Sequence, residues 1–122
     1  VVGISYLVRE ALLAADQLSG EGVDVEVIDP RTVSPLDVDL LVKSVRKTGR
    51  LLVADAGWLR CGMSADVAAQ VTERAFKDMK APVRRVAIPD CPAPMSKPLE
   101  AIYYPRARDI VSEAKALMRS SK

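Results

Sequence analysis

The side chains best placed to do chemistry in this chain lie between Arg50 and Met63, in the run Arg-Leu-Leu-Val-Ala-Asp-Ala-Gly-Trp-Leu-Arg-Cys-Gly-Met. Asp55 closes an apolar run and could act as an acid or base, Cys61 could serve as a nucleophile, and the turn Gly57 to Gly62 could offer backbone N–H groups to a phosphate. A quieter role stands beside each. Gly-Trp-Leu-Arg-Cys-Gly is neither a P-loop nor a dinucleotide fingerprint, so its glycines are expected to permit a tight turn and close helix packing. Asp55 is expected to cap a helix or hold the loop, and Cys61 to be an inert packed thiol. Trp58, the only tryptophan, either anchors a subunit contact with Leu59 and Arg60 or caps the local core.

Other chemistries are excluded by residue type. The chain has no His, which removes a Ser-His-Asp triad and a histidine base, and no Gly-x-Ser-x-Gly elbow is present. Cys61 and Cys91 lie 30 positions apart and form no metal-ligand spacing; they are expected to be reduced thiols of a cytoplasmic protein. The residues therefore nominate no catalytic, cofactor-binding or metal position.

The elements that must position this loop follow from patterning. Over 122 residues, 49% of them hydrophobic, composition does not shift, so residues 1–122 are expected to form one compact domain. The net charge of +2 is interspersed, with basic doublets only at Arg46-Lys47 and Arg84-Arg85, and aromatic residues are few; neither feature suits a nucleic-acid partner. No apolar run approaches a membrane span, and no basic-then-apolar leader opens the chain. The first residues, Val1-Val2-Gly3-Ile4, already read as a strand without an initiator Met, so a fragment of a longer protein is expected.

Val1 to Tyr6 reads as strand one, followed by a helix carrying Leu7, Ala11, Leu12, Ala15 and Leu18 and stopping at Ser19-Gly20. Val23 to Ile28 alternates and then turns apolar, a strand with one half-exposed end. Ser34-Pro35-Leu36-Asp37 opens a second helix, with Ser34 as cap and Leu36, Leu40, Leu41 and Val45 on one face, ending at Gly49. Leu51 to Ala54 is a buried strand, and a third helix from Ser64 to Met79 places Met63, Val67, Val71, Ala75 and Met79 on one stripe. Val83 to Ile88 is a fourth strand. Pro89, Pro92, Pro94 and Pro98 then call for an extended surface strap, with Tyr103-Tyr104-Pro105 packing on the sheet edge, before a last helix from about Arg108 with Ile110, Ala114 and Leu117 inward. Strand then helix, four times over, gives parallel pairing and a three-layer α/β/α sandwich.

Several stretches together resemble one known family domain. They are Ser5-Tyr6 with Glu10-Ala11-Leu12; Val23 to Asp37, including Ile28-Asp29-Pro30-Arg31-Thr32 and Pro35-Leu36-Asp37; Lys47-Thr48-Gly49-Arg50 through Trp58; Cys61 to Val71; Ala81-Pro82 to Glu100; and Tyr103-Tyr104-Pro105 to Val111. The domain is the C-terminal domain of the beta subunit of thiamine-diphosphate-dependent 2-oxo acid dehydrogenases, which include pyruvate and branched-chain 2-oxo acid dehydrogenases, and the resemblance covers essentially the whole chain.

The resemblance implies a transketolase C-terminal-like, mainly parallel sheet, ordered 2-1-3-4, whose antiparallel edge strand lies upstream of Val1. It implies that thiamine diphosphate and magnesium are bound by other domains of the parent, with none in this fragment, which would be inactive alone. It further implies that this domain serves assembly with the alpha and beta subunits and docking of the acyltransferase core. Family members often carry an acidic residue just before the Ala-Pro that is Ala81-Pro82 here; this chain has Lys80, so docking through that position faces reversed charge. The parent would decarboxylate a 2-oxo acid oxidatively and pass the acyl group to lipoamide. Two alternatives remain: the equivalent domain of a transketolase or deoxyxylulose-phosphate synthase, and a free-standing flavodoxin-like binding module.

Overall fold

The computed structural model describes residues 1–120. Its elements run β1 (Val2–Gly3), α1 (Leu7–Ser19), α2 (Val38–Thr48), β2 (Leu52–Trp58), α3 (Met63–Ala75) with a 3-10 turn Phe76–Asp78, β3 (Arg84–Ile88), α4 (Lys97–Tyr103) and α5 (Ala107–Arg119). β1, β2 and β3 pair in parallel in that order, with Val2 opposite Val53 and Val53 opposite Arg85.

Side-chain alternation along β2 divides the interior into two cores. Leu51 and Val53 face Val38, Leu41, Val42 and Val45 of α2 and Val67, Val71 and Ala75 of α3. Leu52 and Ala54 face Leu7, Ala11 and Leu18 of α1 and Ala107, Ile110, Ala114 and Leu117 of α5. A strand covered on both faces must be apolar on both, which is why Leu51 to Ala54 shows no alternation in the sequence. The expected three-layer α/β/α sandwich with a parallel sheet is therefore what forms.

Details differ from the sequence reading. Of four expected strands, the described residues give three. Val23 to Ile28 lies beside β1 at the expected edge but forms only a single parallel bridge, Val2 to Ile28. The Gly3 N–H donates to the Ile28 carbonyl at 3.0 Å and the Ile28 N–H to the Val1 carbonyl at 2.9 Å. β1 is too short to extend this ladder, because the chain leaves the sheet after Ile4 through Ser5, whose φ is 60°. The order of the extended segments is still that implied by the resemblance.

The second helix starts at Val38, three residues after Pro35, because the cap is Asp37: its Oδ1 accepts from the Leu40 N–H at 3.0 Å. That rotation buries Val38 and Val42 and leaves Leu40 42% exposed. Gly49 ends the helix in the left-handed conformation, φ 76°, as its sequence position suggested. The first helix ends at Ser19 with Gly20 as its C-cap, as the sequence implied, although Gly20 itself is right-handed; the left-handed residue is Gly22, φ 81°, and the Val23 N–H reaches back to the Leu18 carbonyl at 2.9 Å. Leu12 faces solvent, since the run Ala11 to Ala15 is apolar all round and gives no phase. The strap contains a short helix, α4, which accommodates Pro98 in its first turn, where no N–H is required. Tyr103 is buried there, donating its hydroxyl to the Cys91 carbonyl at 2.8 Å, with the Tyr104 ring edge-on at 5.0 Å.

One buried carboxylate joins the two helices of the α1/α5 layer. Glu10, 9% exposed, accepts from the Ala107 N–H at 2.8 Å and so caps the first turn of α5 across the layer. Asp109 closes the same turn by accepting from the Arg106 N–H at 2.8 Å. Replacing Glu10→Ala leaves that buried N–H without an acceptor. We expect the variant to unfold at a lower urea midpoint, by about 1–3 kcal/mol, with unchanged slope, whereas Arg9→Ala on the exposed side leaves the midpoint in place.

Candidate functional site

β2 does not stop at Asp55 as the sequence suggested but continues to Trp58, with an irregularity between Ala54, opposite Val86, and Trp58, opposite Ile88. Asp55 holds that irregular end. It is 5% exposed; its Oδ1 accepts from the Gly57 N–H at 3.0 Å and its Oδ2 from the Ser64 N–H at 3.1 Å, at the start of α3. Both oxygens point at backbone donors, so the carboxylate positions the loop and does not present itself as an acid or base. The quieter of its two expected roles is the one observed.

The same carboxylate decides what the loop can hold. A diphosphate brought to the α3 N-terminus would meet Asp55 already in place, and two anions cannot share those N–H groups. Among the described residues no group of three or more His, Cys, Asp or Glu side chains could hold a metal ion. The residues present thus do not fit thiamine diphosphate with magnesium. The buried Ser64 Oγ has no hydrogen-bond partner among the described residues, a feature the sequence did not signal.

Gly62 is required by close approach. A Cβ there would collide with the Trp58 carbonyl oxygen, a backbone atom that cannot yield without moving the strand end. Cys61 before it is left-handed, φ 54°, and exposed, which corrects the expectation of a packed thiol. The turn needed to clear Trp58 pushes residue 61 outward.

Trp58 and Leu59 are 53% and 42% exposed, so the tryptophan does not cap the core. Leu59 and Ile102 line one groove of about 400 Å³ along β3, with Ile88, Pro89, Tyr103 and Pro105 beneath. Arg60 pairs with Asp90 at 2.5 Å, and Arg85 donates to the Leu59 carbonyl at 2.7 Å, fixing the loop over the sheet end. Lys80 lies elsewhere, at the opposite end of β2 and β3. Its N–H donates to the Gly49 carbonyl at 2.8 Å, its stem lies over Gly49, and its exposed ammonium makes no ion pair among the described residues. The structure therefore keeps Trp58, Leu59 and Arg60 together and Lys80 apart from them. Ile102, Leu99 and Met95, all strongly exposed, were missed in the sequence because the proline count masked the helix that displays two of them.

With this geometry established, comparison with known proteins defines the class. Residues 1–110 match the family described as transketolase, C-terminal domain, and the chain belongs to that family. It is 41% identical over 122 residues to the beta subunit of acetoin:2,6-dichlorophenolindophenol oxidoreductase from Cupriavidus necator, covering all of this chain and 36% of that one. It is 39% identical over 118 residues to the pyruvate dehydrogenase E1 component subunit beta of Bacillus subtilis, covering 97% of this chain and 36% of that one. Among solved structures, a split gene transketolase described as an inactive beta4 tetramer superposes with a TM-score of 0.84 at 28% identity, over 99% of this chain and 38% of that one. The chain thus spans about a third of the length of the curated relatives it matches. Among the described residues no helix is long and apolar enough to cross a membrane.

Gly62→Ala tests the loop geometry. The added methyl has to displace the Trp58 carbonyl, so we expect a loss of roughly 1–3 kcal/mol in thermal or denaturant unfolding, with Trp58 fluorescence altered in the native baseline; Gly20→Ala, whose methyl would lie 3.4 Å from the Gln17 carbonyl oxygen, serves as the tolerated control.

Proposed function

We propose that residues 1–122 form the C-terminal assembly domain of the beta subunit of a thiamine-diphosphate-dependent 2-oxo acid or acetoin dehydrogenase, a cytoplasmic enzyme. The observation that carries this reading is identity of 41% and 39% to two such beta subunits, running the length of the chain. On this reading the parent cleaves its substrate on thiamine diphosphate, held with magnesium by domains outside this chain, and transfers the resulting acyl group to lipoamide. The chain's own contribution is contact. Trp58 and Leu59, displayed on a loop that Asp55, Arg60 and Arg85 hold rigid, form an interface with a neighbouring alpha or beta subunit, because an ordered apolar tip loses little freedom on burial.

Lys80 is the second contact in this proposal, toward an acyltransferase core. A lysine at that place repels a basic docking surface and suits an acidic one, so the partner's charge would be reversed with it. The transketolase reading keeps one observation in its favour, the 0.84 superposition on a split gene transketolase, but identity there is 28%.

Two measurements test this. In calorimetry the isolated chain is expected to give no heat of binding with thiamine diphosphate plus magnesium; micromolar binding would place the cofactor site in this domain and defeat the assignment. For the interface, the double variant Trp58→Ser, Leu59→Ser is expected to keep the thermal midpoint of the parent chain while weakening co-purification with the alpha subunit at least tenfold. Unchanged assembly would remove these residues from the contact.

A further inference from the structure

We propose that the polar cleft between the start of α1 and the start of α5 binds a phosphate group, free or as the monoester of a small metabolite. The cleft has a volume of about 280 Å³ and is lined by Tyr6, Arg9, Glu10, Tyr104 and Arg106. Its walls are fixed before any ligand arrives. The Tyr6 hydroxyl donates to the Pro105 carbonyl at 3.1 Å, which ties the start of α1 to the strap. The Arg106 guanidinium lies 5.7 Å from the centre of the Tyr6 ring, and the Arg106 N–H donates to Asp109 at 2.8 Å. The Tyr104 ring is held edge-on against the buried Tyr103 at 5.0 Å. Tyr6, Tyr104 and Arg106 therefore lose little freedom when an anion binds among them.

The donors that face the cleft are unspent. Among the described residues the Arg9 guanidinium makes no hydrogen bond or ion pair, and the Tyr104 hydroxyl makes no hydrogen bond. The acid beside Arg106 is Glu10, whose Oε1 at 3.7 Å is too far for a hydrogen bond. Glu10 is the one acid on the lining, and its other oxygen is taken by the Ala107 N–H at 2.8 Å. Asp109, in the same turn of α5, accepts from the Arg106 N–H and lies 3.8 Å from Arg108. One carboxylate thus faces two guanidinium groups, and a positive charge is left over. The α3 N-terminus is the reverse case, because there Asp55 occupies the N–H groups that an anion would need.

Phosphate is the anion that matches these donors. Two guanidinium forks and a phenol hydroxyl make three donor groups, and a phosphate monoester still offers three oxygens where a carboxylate offers two. The place in the sheet agrees. From β1 the chain goes first to residues 23–28 on one side and then to β2 on the other, so the order reverses at β1. Tyr6 and Arg9 follow directly on the carboxyl end of that strand, the position at which open α/β sheets take ligands.

The test is an amide NMR titration of the chain in phosphate-free buffer at constant ionic strength, with inorganic phosphate, methyl phosphate and acetate as probes. Saturable shifts confined to the surroundings of Tyr6, Arg9, Tyr104 and Arg106 are expected with inorganic phosphate. Methyl phosphate binding as well would name monoesters as the source of the group, and its exclusion would name free phosphate. Arg9→Gln, which removes an exposed side chain without packing, is the deciding variant; it and Arg106→Gln should each weaken phosphate roughly tenfold, and Arg46→Gln in the opposite layer should leave it unchanged. Acetate binding as tightly as phosphate, shifts that spread equally to Arg46-Lys47 and Arg84-Arg85, or binding that survives Arg9→Gln overturns the proposal. None of these outcomes depends on the Trp58 contact.

Discussion

The buried Asp55 carboxylate is the joint on which the working end of this fold depends. β2 is the central strand, shared by both cores, and its end at Trp58 must give way to α3, which begins at Met63, five residues on. Without a side chain that accepts from both Gly57 and Ser64, the strand end and the helix start would each leave a backbone donor unsatisfied in a partly buried setting. One acidic residue meets both needs. Its position also closes the helix N-terminus to any other anion, so the interaction that builds the loop is the one that denies it a phosphate-binding role.

A second carboxylate does comparable work on the other layer. Glu10 reaches from α1 to the first turn of α5, 97 residues away in sequence, and Arg106 stands over the Tyr6 ring at 5.7 Å beside it. Tyr6 in turn donates its hydroxyl to the Pro105 carbonyl at 3.1 Å. These contacts seat the strap between β3 and α5 against the start of the chain. They explain why a proline-rich segment of low regularity can hold Tyr103 in a buried place. In both layers, then, acids sit at helix N-termini inside the fold, where the helix dipole favours them, and the apolar side chains left over are displayed at loop tips.

This division of labour leaves apolar side chains on the outside of an otherwise satisfied fold. Relatives matched along the full chain are subunits of larger oxidoreductases, and the chain corresponds to about a third of each. The tip bearing Trp58 and Leu59 is held by Arg60 to Asp90 and by Arg85 to the loop backbone, so its exposed apolar area is ordered. The exposed Ile102 lines the groove beside it and adds to the apolar surface there.

Much of this was settled by local sequence. Apolar runs with strong turn signals specified β2 and β3, apolar residues at every fourth position specified the buried face of α3, and Gly49 specified the end of α2, because each depends only on neighbours within a few residues. The order of the strands came with the family resemblance. Other features were decided only by the folded chain. The phase of α2 turned on whether Ser34 or Asp37 reached the first free N–H groups, and both are good caps. Val23 to Ile28 has strand composition but β1 is too short to pair with it. Cys61 is exposed because Gly62 must clear the Trp58 carbonyl, and Glu10 caps α5 because packing brings α1 alongside it. Periodicity encodes which faces are apolar; it cannot encode which polar side chain meets which backbone group across the fold, since that depends on distances fixed only when both layers close on the sheet.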